Sequence, residues 1–398
     1  MQIFAFILVG ICIIILLPAL LNCIYVYFLT VYSIFPGKNK VSDNPSSCFA
    51  LLLPVDSLPD SLPEKIREIK SSIDYPENLY DIFILTDNIP STEIEKKITE
   101  NKNELLIIEY CNSWRKGKEF AVEWALARLM KQKYNAFLII DETVLPEPRL
   151  LKSVDAYISE GSEAVQVSVS RSKKKMTWQE HLNCISAAGF YHLRPKARKN
   201  LGISCGIQGT GFCMTKKLLK DLPFQPFEYK NWFEYHIKLV CSNKKVAFIQ
   251  KTGMTSGIIT SGSDAEFLNT SRKGNLRKQY IEPLFKAVKR KNISAIDCLI
   301  SLFLPSMNTT AKILFSGLFS GAMLLTAANI IPECYFLEIH AEIVIILSVL
   351  GLAVMIFYYF IAVIEKKLSL ITCLAGFFFP VYILYFIIRK FLALCRRN

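Results

Sequence analysis

Polar residues close four successive apolar runs in the middle of this chain: Asp56 follows Phe49–Val55, Asp87 and Asn88 follow 82–86, Arg115 to Lys118 follow 105–109, and Asp141 follows 136–140. A carboxylate in such a place accepts hydrogen bonds from an N–H or a sugar hydroxyl, and it can share a divalent ion. Lys118 with Arg115 can offset phosphate charge. Any one of these alone is more often turn chemistry or a helix cap. Four in succession describe a cleft.

The runs that carry them are short and rich in β-branched and aromatic residues. They alternate with helical stretches at Leu62–Ser72, 93–100, 119–131, 149–159 and 177–191, and further strands are predicted at 164–169, near Phe212 and at 246–249. That alternation is the signature of an α/β domain with a mostly parallel sheet covered by helices. In such sheets ligands bind beyond the carboxyl ends of the strands, where the polar residues stand.

At 398 residues, 52% hydrophobic and with a mean hydropathy of +0.31, the chain is too apolar for an ordinary soluble protein and too charged to be membrane throughout. Residues 3–31 carry no charge and exceed the roughly 20 apolar residues that cross a bilayer. This run is too long for a cleaved signal peptide and lacks its basic start. Lys38 and Lys40 follow it, so the positive-inside rule puts the domain on the cytoplasmic side of a plasma (inner) membrane. Further spans are predicted at 311–331, 341–364 and 368–388, with an acidic outer link at 332–340 and an inner one at Glu365, Lys366 and Lys367. Arg389, Lys390, Arg396 and Arg397 oppose this bias if the third span crosses fully, and Pro380 can make that segment re-entrant.

The expected division is an N-terminal span at 1–35, a domain at 45–290, an interfacial segment at 291–308, a membrane cluster at 309–390 and a basic tail at 391–398. The stretch 284–306, basic early and apolar late, fits an interfacial helix. The net charge of +13 is scattered without an RNA-binding motif, so anionic lipids and a phosphate-bearing substrate are the expected partners and nucleic acid is not. The 12 cysteines form no CxxC pair and read as reduced, buried small hydrophobes.

These residues resemble the family 2 glycosyltransferases, the inverting, nucleotide-sugar-dependent group that includes the hyaluronan, chitin, cellulose and poly-N-acetylglucosamine synthases. The resemblance covers nearly the whole chain. Leu51 to Asp56, with Pro54, occupies the place of the family's strand ending in Pro-x-Asn-Glu; Tyr75 and Pro76 match its Tyr-Pro turn; Ile84 to Asn88 matches the strand whose terminal Asp contacts the base. Arg115, Lys116, Gly117 and Lys118 are similar to its basic-Gly turn before a helix, continued by Glu123 to Leu126. Gly202 to Gly206 and then Gly209, Thr210 and Gly211 resemble the stretch that lines the acceptor site. On spacing alone, Gly209 and Gly211 serve equally for close approach of an acceptor or for a tight entry into the strand near Phe212. The resemblance implies a GT-A domain that binds a UDP-sugar through Pro54, Asp56, Asp87, Asn88, Arg115, Lys118 and Asp141, with Trp232 beside the acceptor.

The chain departs from the family pattern at four places. Val55 and Asp56 stand where an Asn-Glu pair is preferred. Asp141, Glu142 and Thr143 replace Asp-x-Asp, so binding of Mg²⁺ or Mn²⁺ through Asp141 is weakened or rerouted. Lys230, Asn231 and Trp232 replace the Thr-Glu-Asp that supplies the base, leaving Glu234 as the nearest substitute, and His236 on the same helix is assigned to packing or surface. Gln279, Tyr280, Ile281, Glu282 and Pro283 replace Gln-x-x-Arg-Trp, and Glu282 would hinder a pyrophosphate if it points inward.

Two functions therefore stand side by side. One is sugar transfer from a nucleotide-sugar to a polysaccharide or lipid-linked acceptor at the cytoplasmic face. The other is a catalytically inactive subunit of the same fold that binds nucleotide, glycan or a partner synthase.

Overall fold

The computed structural model describes residues 2–377 apart from 38–39, 56–61, 88–89, 91, 93–105, 113, 115–116, 142–143, 172–175, 226–231, 257–269 and 331–334. Asp56, Asn88, Arg115, the helix expected at 93–100, Glu142, Thr143, Lys230, Asn231, Pro380 and the basic tail lie outside the described residues.

An eight-stranded sheet forms the centre of the domain. Its strands are β1 (Phe49–Val55), β2 (Tyr80–Asp87), β3 (Leu106–Tyr110), β4 (Ala136–Ile139), β5 (Val144–Pro146), β6 (Ala164–Arg171), β7 (Phe212–Thr215) and β8 (Val246–Ser256), in the order β3-β2-β1-β4-β7-β6-β8-β5. β3, β2, β1 and β4 run parallel to one another, and β6 is parallel to β8. β7 runs antiparallel between β4 and β6, and β5 is antiparallel to β8. Because β7 reverses direction twice over, β6 again points the same way as β4. The carboxyl ends of β1, β2, β4 and β6 therefore share one edge of the sheet.

All seven residues of β1 are buried, as a central strand covered on both faces requires. Alternate side chains feed two cores: Leu52, Phe83 and Phe137 on one face, Leu51, Ile84 and Leu138 on the other. Pro54 is tolerated in this central strand because the β4 ladder ends at Leu52, so its missing N–H falls beyond that pairing.

The sheet is covered by α2 (Leu62–Ser72), α3 (Lys118–Leu129), α4 (Leu150–Ser159), α5 (Trp178–Ala188), α6 (Arg194–Asn200), α7 (Lys216–Asp221) and α8 (Trp232–Cys241). The helix expected at 177–191 starts with a Thr177 and Glu180 capping box and passes through a π-helical turn, Gly189–Leu193, into α6. The extra residue in that turn lets Gly189 sit where a Cβ would lie 2.8 Å from the Tyr358 ring.

The expected single interfacial helix over 284–306 is a hairpin. α9 (Thr270–Lys289) ends at a turn where Lys291 takes φ 63°, and α10 (Ile293–Phe303) restarts from Asn292, whose side chain caps the Ser294 amide at 3.0 Å. The turn folds α10 back on α9 and α8, burying Ile237, Val240, Leu276, Leu284 and Leu302 together. On α10, Ile293, Ile296 and Phe303 remain exposed.

Among the described residues, three helices are long and apolar enough to cross a membrane, at Val9–Ile34, Met307–Ala328 and Leu337–Glu365. They belong to α1 (Gln2–Ile34), α11 (Met307–Ile330) and α12 (Tyr335–Glu365), and α13 (Leu370–Phe377) follows. Leu16, Ala19, Leu314, Val344 and Tyr358 pack where these helices meet. The amide of Asn22 bridges to Thr310 Oγ1 at 2.7 Å and to the Pro305 carbonyl at 3.2 Å, satisfying a polar group inside an apolar helix.

Candidate active site

Asp87 ends β2, and its Oδ2 accepts a 2.6 Å hydrogen bond from the Gly117 amide. Gly117 takes φ 132°, in the region a side chain disfavours, and so turns the chain sharply into α3. Lys118 is thereby the first residue of that helix. Its Nζ lies 3.9 Å from Asp141 Oδ2, with both side chains partly open to solvent. Asp141 stands two residues past the end of β4, and its amide donates to Thr210 Oγ1 at 3.0 Å. Residues from the ends of β2 and β4, the start of α3 and the approach to β7 are thus linked side to side. Sequence spacing suggests the first three; the Thr210 contact comes from tertiary structure.

Gly209 and Gly211 hold φ 88° and 73°, and the Gly211 amide bonds to the Ile139 carbonyl at 2.8 Å. The glycines lay this segment across the end of β4. A Cβ on Gly209 would meet Trp232 Nε1 at 2.8 Å, so this glycine seats the indole. Trp232 also stacks on Phe224 at 5.0 Å and meets Phe212 edge-on at 5.9 Å, fixing its ring at the mouth of this segment.

Behind Thr210 lies a polar residue whose importance the sequence hardly signals. Gln166, fully buried in β6, donates to the Thr210 carbonyl at 2.8 Å and accepts from the Gln208 amide at 3.0 Å. Its one visible mark is the interruption of an apolar strand, Ala164-Val165-Gln166-Val167.

Glu234 is 1% exposed and accepts a 2.7 Å hydrogen bond from the Tyr280 hydroxyl. It faces α9, while Trp232 and Tyr235 of the same helix face the sheet. Burial and this carboxylate together raise the Tyr280 hydroxyl above its usual range. Glu282 is 75% exposed at its side chain and pairs with Lys286 at 2.6 Å, so its charge faces water and the condition for repelling a pyrophosphate is not met. His236 is buried between Ser204 Oγ at 2.8 Å and Cys298 Sγ at 3.8 Å, and burial lowers its pKa to about 4.

Among the described residues no group of three His, Cys, Asp or Glu side chains could hold a metal ion. Asp141 contributes one carboxylate, and the Lys118 ammonium beside it competes with a divalent cation for that charge. The described residues therefore do not form a metal-ligand set.

The structure aligns with the mannosyltransferase PcManGT from Pyrobaculum calidifontis, solved in complex with GDP-Man and Mn²⁺, over 91% of this chain and 99% of that one, at TM-score 0.53 and 14% identity. This is the GT-A glycosyltransferase fold. Glucosyl-3-phosphoglycerate synthase from Mycobacterium tuberculosis aligns over 61% of this chain and 78% of its own at TM-score 0.36 and 16% identity. TarS from S. aureus aligns over 58% of this chain and 40% of its own at TM-score 0.38 and 15% identity. No protein-family model and no curated protein matches the sequence. In this GT-A sheet, Asp87, Lys118, Asp141 and Thr210 gather at the edge where β2 and β4 end.

Proposed function

We propose that the chain is a membrane-held, inverting glycosyltransferase of the family 2 type. It takes a sugar from a nucleoside-diphosphate donor and passes it to an acceptor at the cytoplasmic face. The observation that carries this reading is the convergence of Asp87, Lys118 and Asp141 at one sheet edge. In this reading Asp87 accepts from a base N–H or ribose hydroxyl, and Lys118 offsets diphosphate charge. Lys40, directly after the first span, supports the cytoplasmic side.

The burial of Glu234 favours a second reading, a binding subunit without turnover. With Trp232 at the position expected of the base and Glu234 enclosed by α9, neither side chain of that motif is available to take a proton from a sugar hydroxyl.

The test is donor consumption. Purified full-length chain in nanodiscs with a membrane extract and labelled UDP- or GDP-sugars should release the nucleoside diphosphate, and Lys118→Met should suppress release. Nucleotide binding without release establishes the second reading. Absence of both turnover and binding removes the assigned roles of Asp87, Lys118 and Asp141.

A further inference from the structure

The guanidinium of Arg198, on α6, joins α1, α10 and the glycine-bearing segment that leads to β7. Its Nε pairs with Asp297 of α10 at 3.0 Å, and its Nη2 donates to Tyr25 of α1 at 3.1 Å and to Ser301 of α10 at 3.3 Å. Tyr25 donates in turn to Asp297 at 2.6 Å, so the charge is matched inside the cluster. These contacts alone describe a strut between helices. A further one reaches beyond them: Nη1 donates to the Cys205 carbonyl at 3.5 Å. The chain bends at the next residue, Gly206, which takes φ 90° and on which a Cβ would lie 3.6 Å from the same Nη1. The guanidinium therefore underlies the bend. Ser294, Asp297 and Ser301 share one face of α10, and Ser294 Oγ accepts from the Ser204 amide at 3.0 Å. One helix face thus holds both Arg198 and the residue that precedes the bend.

From the bend the chain runs straight to the candidate site. Gln208 donates its amide to Gln166 Oε1 at 3.0 Å, Gly209 seats the Trp232 indole, and Thr210 Oγ1 receives the Asp141 amide at 3.0 Å. Only Gly206 and Ile207 separate Cys205 from Gln208, a link too short to absorb a displacement of the bend. On the other side, Ser204 Oγ meets His236 Nε2 at 2.8 Å, on the helix that also carries Trp232. The place of the bend is thus passed to Gly209, Thr210 and Trp232. Asp87 and Lys118 stand on β2 and α3, away from this path.

We infer that Arg198 is a positioning residue: held by α1 and α10, it fixes the bend at Gly206 and thereby the places of Thr210 and the Trp232 indole. It touches no reactant. The link to turnover rests on the transferase reading; the link to Trp232 does not. A lysine in its place keeps a charge beside Asp297 but loses the planar fork that serves Tyr25, Ser301 and Cys205 together. Misplacement of a reacting centre by about 1 Å costs on the order of 10²-fold in rate, so a small shift of the bend is enough to be read in turnover.

The test compares Arg198→Lys, and separately the Arg198→Met and Asp297→Leu pair, with the native chain, all full-length in nanodiscs. The pair removes the buried charge without stranding its partner. Trp232 is followed in chains that also carry Trp114→Phe, Trp124→Phe and Trp178→Phe, or, where these do not melt cooperatively, as the difference made by Trp232→Phe. Binding of UDP and GDP, and release of nucleoside diphosphate from labelled UDP- or GDP-sugars with a membrane extract, are measured with the other tryptophans intact. The expected variants melt cooperatively, shift the Trp232 emission and expose it to acrylamide. They bind nucleotide within about threefold of the native chain and release it about tenfold or more slowly. A folded variant with native Trp232 emission and native release reduces Arg198 to a strut and overturns the inference, as does a loss of nucleotide affinity that matches the loss of release. If neither variant melts cooperatively, Ser301→Ala, which removes one neutral contact, should show the same shifts on a smaller scale, and their absence overturns the inference. Displaced Trp232 in variants of a chain that has no turnover supports the positional link and sinks the transferase reading. Undisturbed Trp232 beside a native chain that turns over does the reverse.

Discussion

The Tyr280 hydroxyl and the Glu234 carboxylate meet at 2.7 Å between α9 and α8, joining two segments that the sequence assigns to different motifs. The tyrosine holds the carboxylate in place within a helix interface. Tyr280→Phe therefore leaves a buried acceptor without this donor and should cost about 1–3 kcal/mol in unfolding experiments on detergent-solubilised protein. Glu234→Gln keeps an acceptor oxygen and should lose less, with nucleoside diphosphate release unchanged. Loss of release in a folded Glu234→Gln protein would restore Glu234 as a base.

Gly209 combines φ 88° with close contact to the Trp232 indole. Gly209→Ala should destabilise the protein by about 1–3 kcal/mol from backbone strain, and it should shift the emission of Trp232 as the ring is displaced. A Gly209→Ala protein with unchanged melting temperature and tryptophan emission contradicts the seating role.

Arg198 joins three elements: its Nε bonds to Asp297 of α10 at 3.0 Å and its Nη2 bonds to Tyr25 of α1 at 3.1 Å, while Tyr25 donates to Asp297 at 2.6 Å. Removing one charge strands the other, so Asp297→Asn should cost roughly 3–5 kcal/mol. The Arg198→Met and Asp297→Leu double variant should be less destabilised than Asp297→Asn. A single-variant loss below about 1 kcal/mol shows that the pair is not effectively buried.

The lowered pKa of His236 links stability to pH. Unfolded, the imidazole takes a proton near its ordinary value of 6.5; folded, it does so only near 4. The unfolded state binds more protons between these values, so stability falls as pH drops from 6.5 toward 4, by up to about 3 kcal/mol from this group. Melting curves over that window should show a shallower acid decline in His236→Gln than in the native chain. Parallel declines remove His236 as a contributor.

Seven of the described strands were legible as apolar, β-branched runs, while the three-residue β5 was not, and the spans at Val9–Ile34, Met307–Ala328 and Leu337–Glu365 were legible because each is long and apolar. β1 matches its expected limits, and β2, β4 and β6 differ only at their ends. The π-helical turn and the α9 and α10 hairpin were not legible. The first packs its Gly189 against Tyr358, far along the chain, and the second turns on a left-handed Lys291 that no residue type announces. Asp87, Lys118 and Asp141 could be selected as strand-end polar residues. The Gln166 contact with Thr210 could not, since the two lie 44 residues apart and only tertiary structure joins them. Tyr280 looked like the loss of a motif until its hydroxyl was found on Glu234.

The central claim is that a nucleoside diphosphate binds where β2 and β4 end. It is tested most directly by titrating UDP and GDP into the full-length chain in nanodiscs, with and without Mn²⁺, beside the Asp87→Ala and Lys118→Met variants. The account predicts saturable binding of one nucleotide by the native chain, weakened about tenfold or more by each substitution in proteins that still melt cooperatively. Binding of neither nucleotide under either condition, or binding that both substitutions leave unchanged, contradicts it.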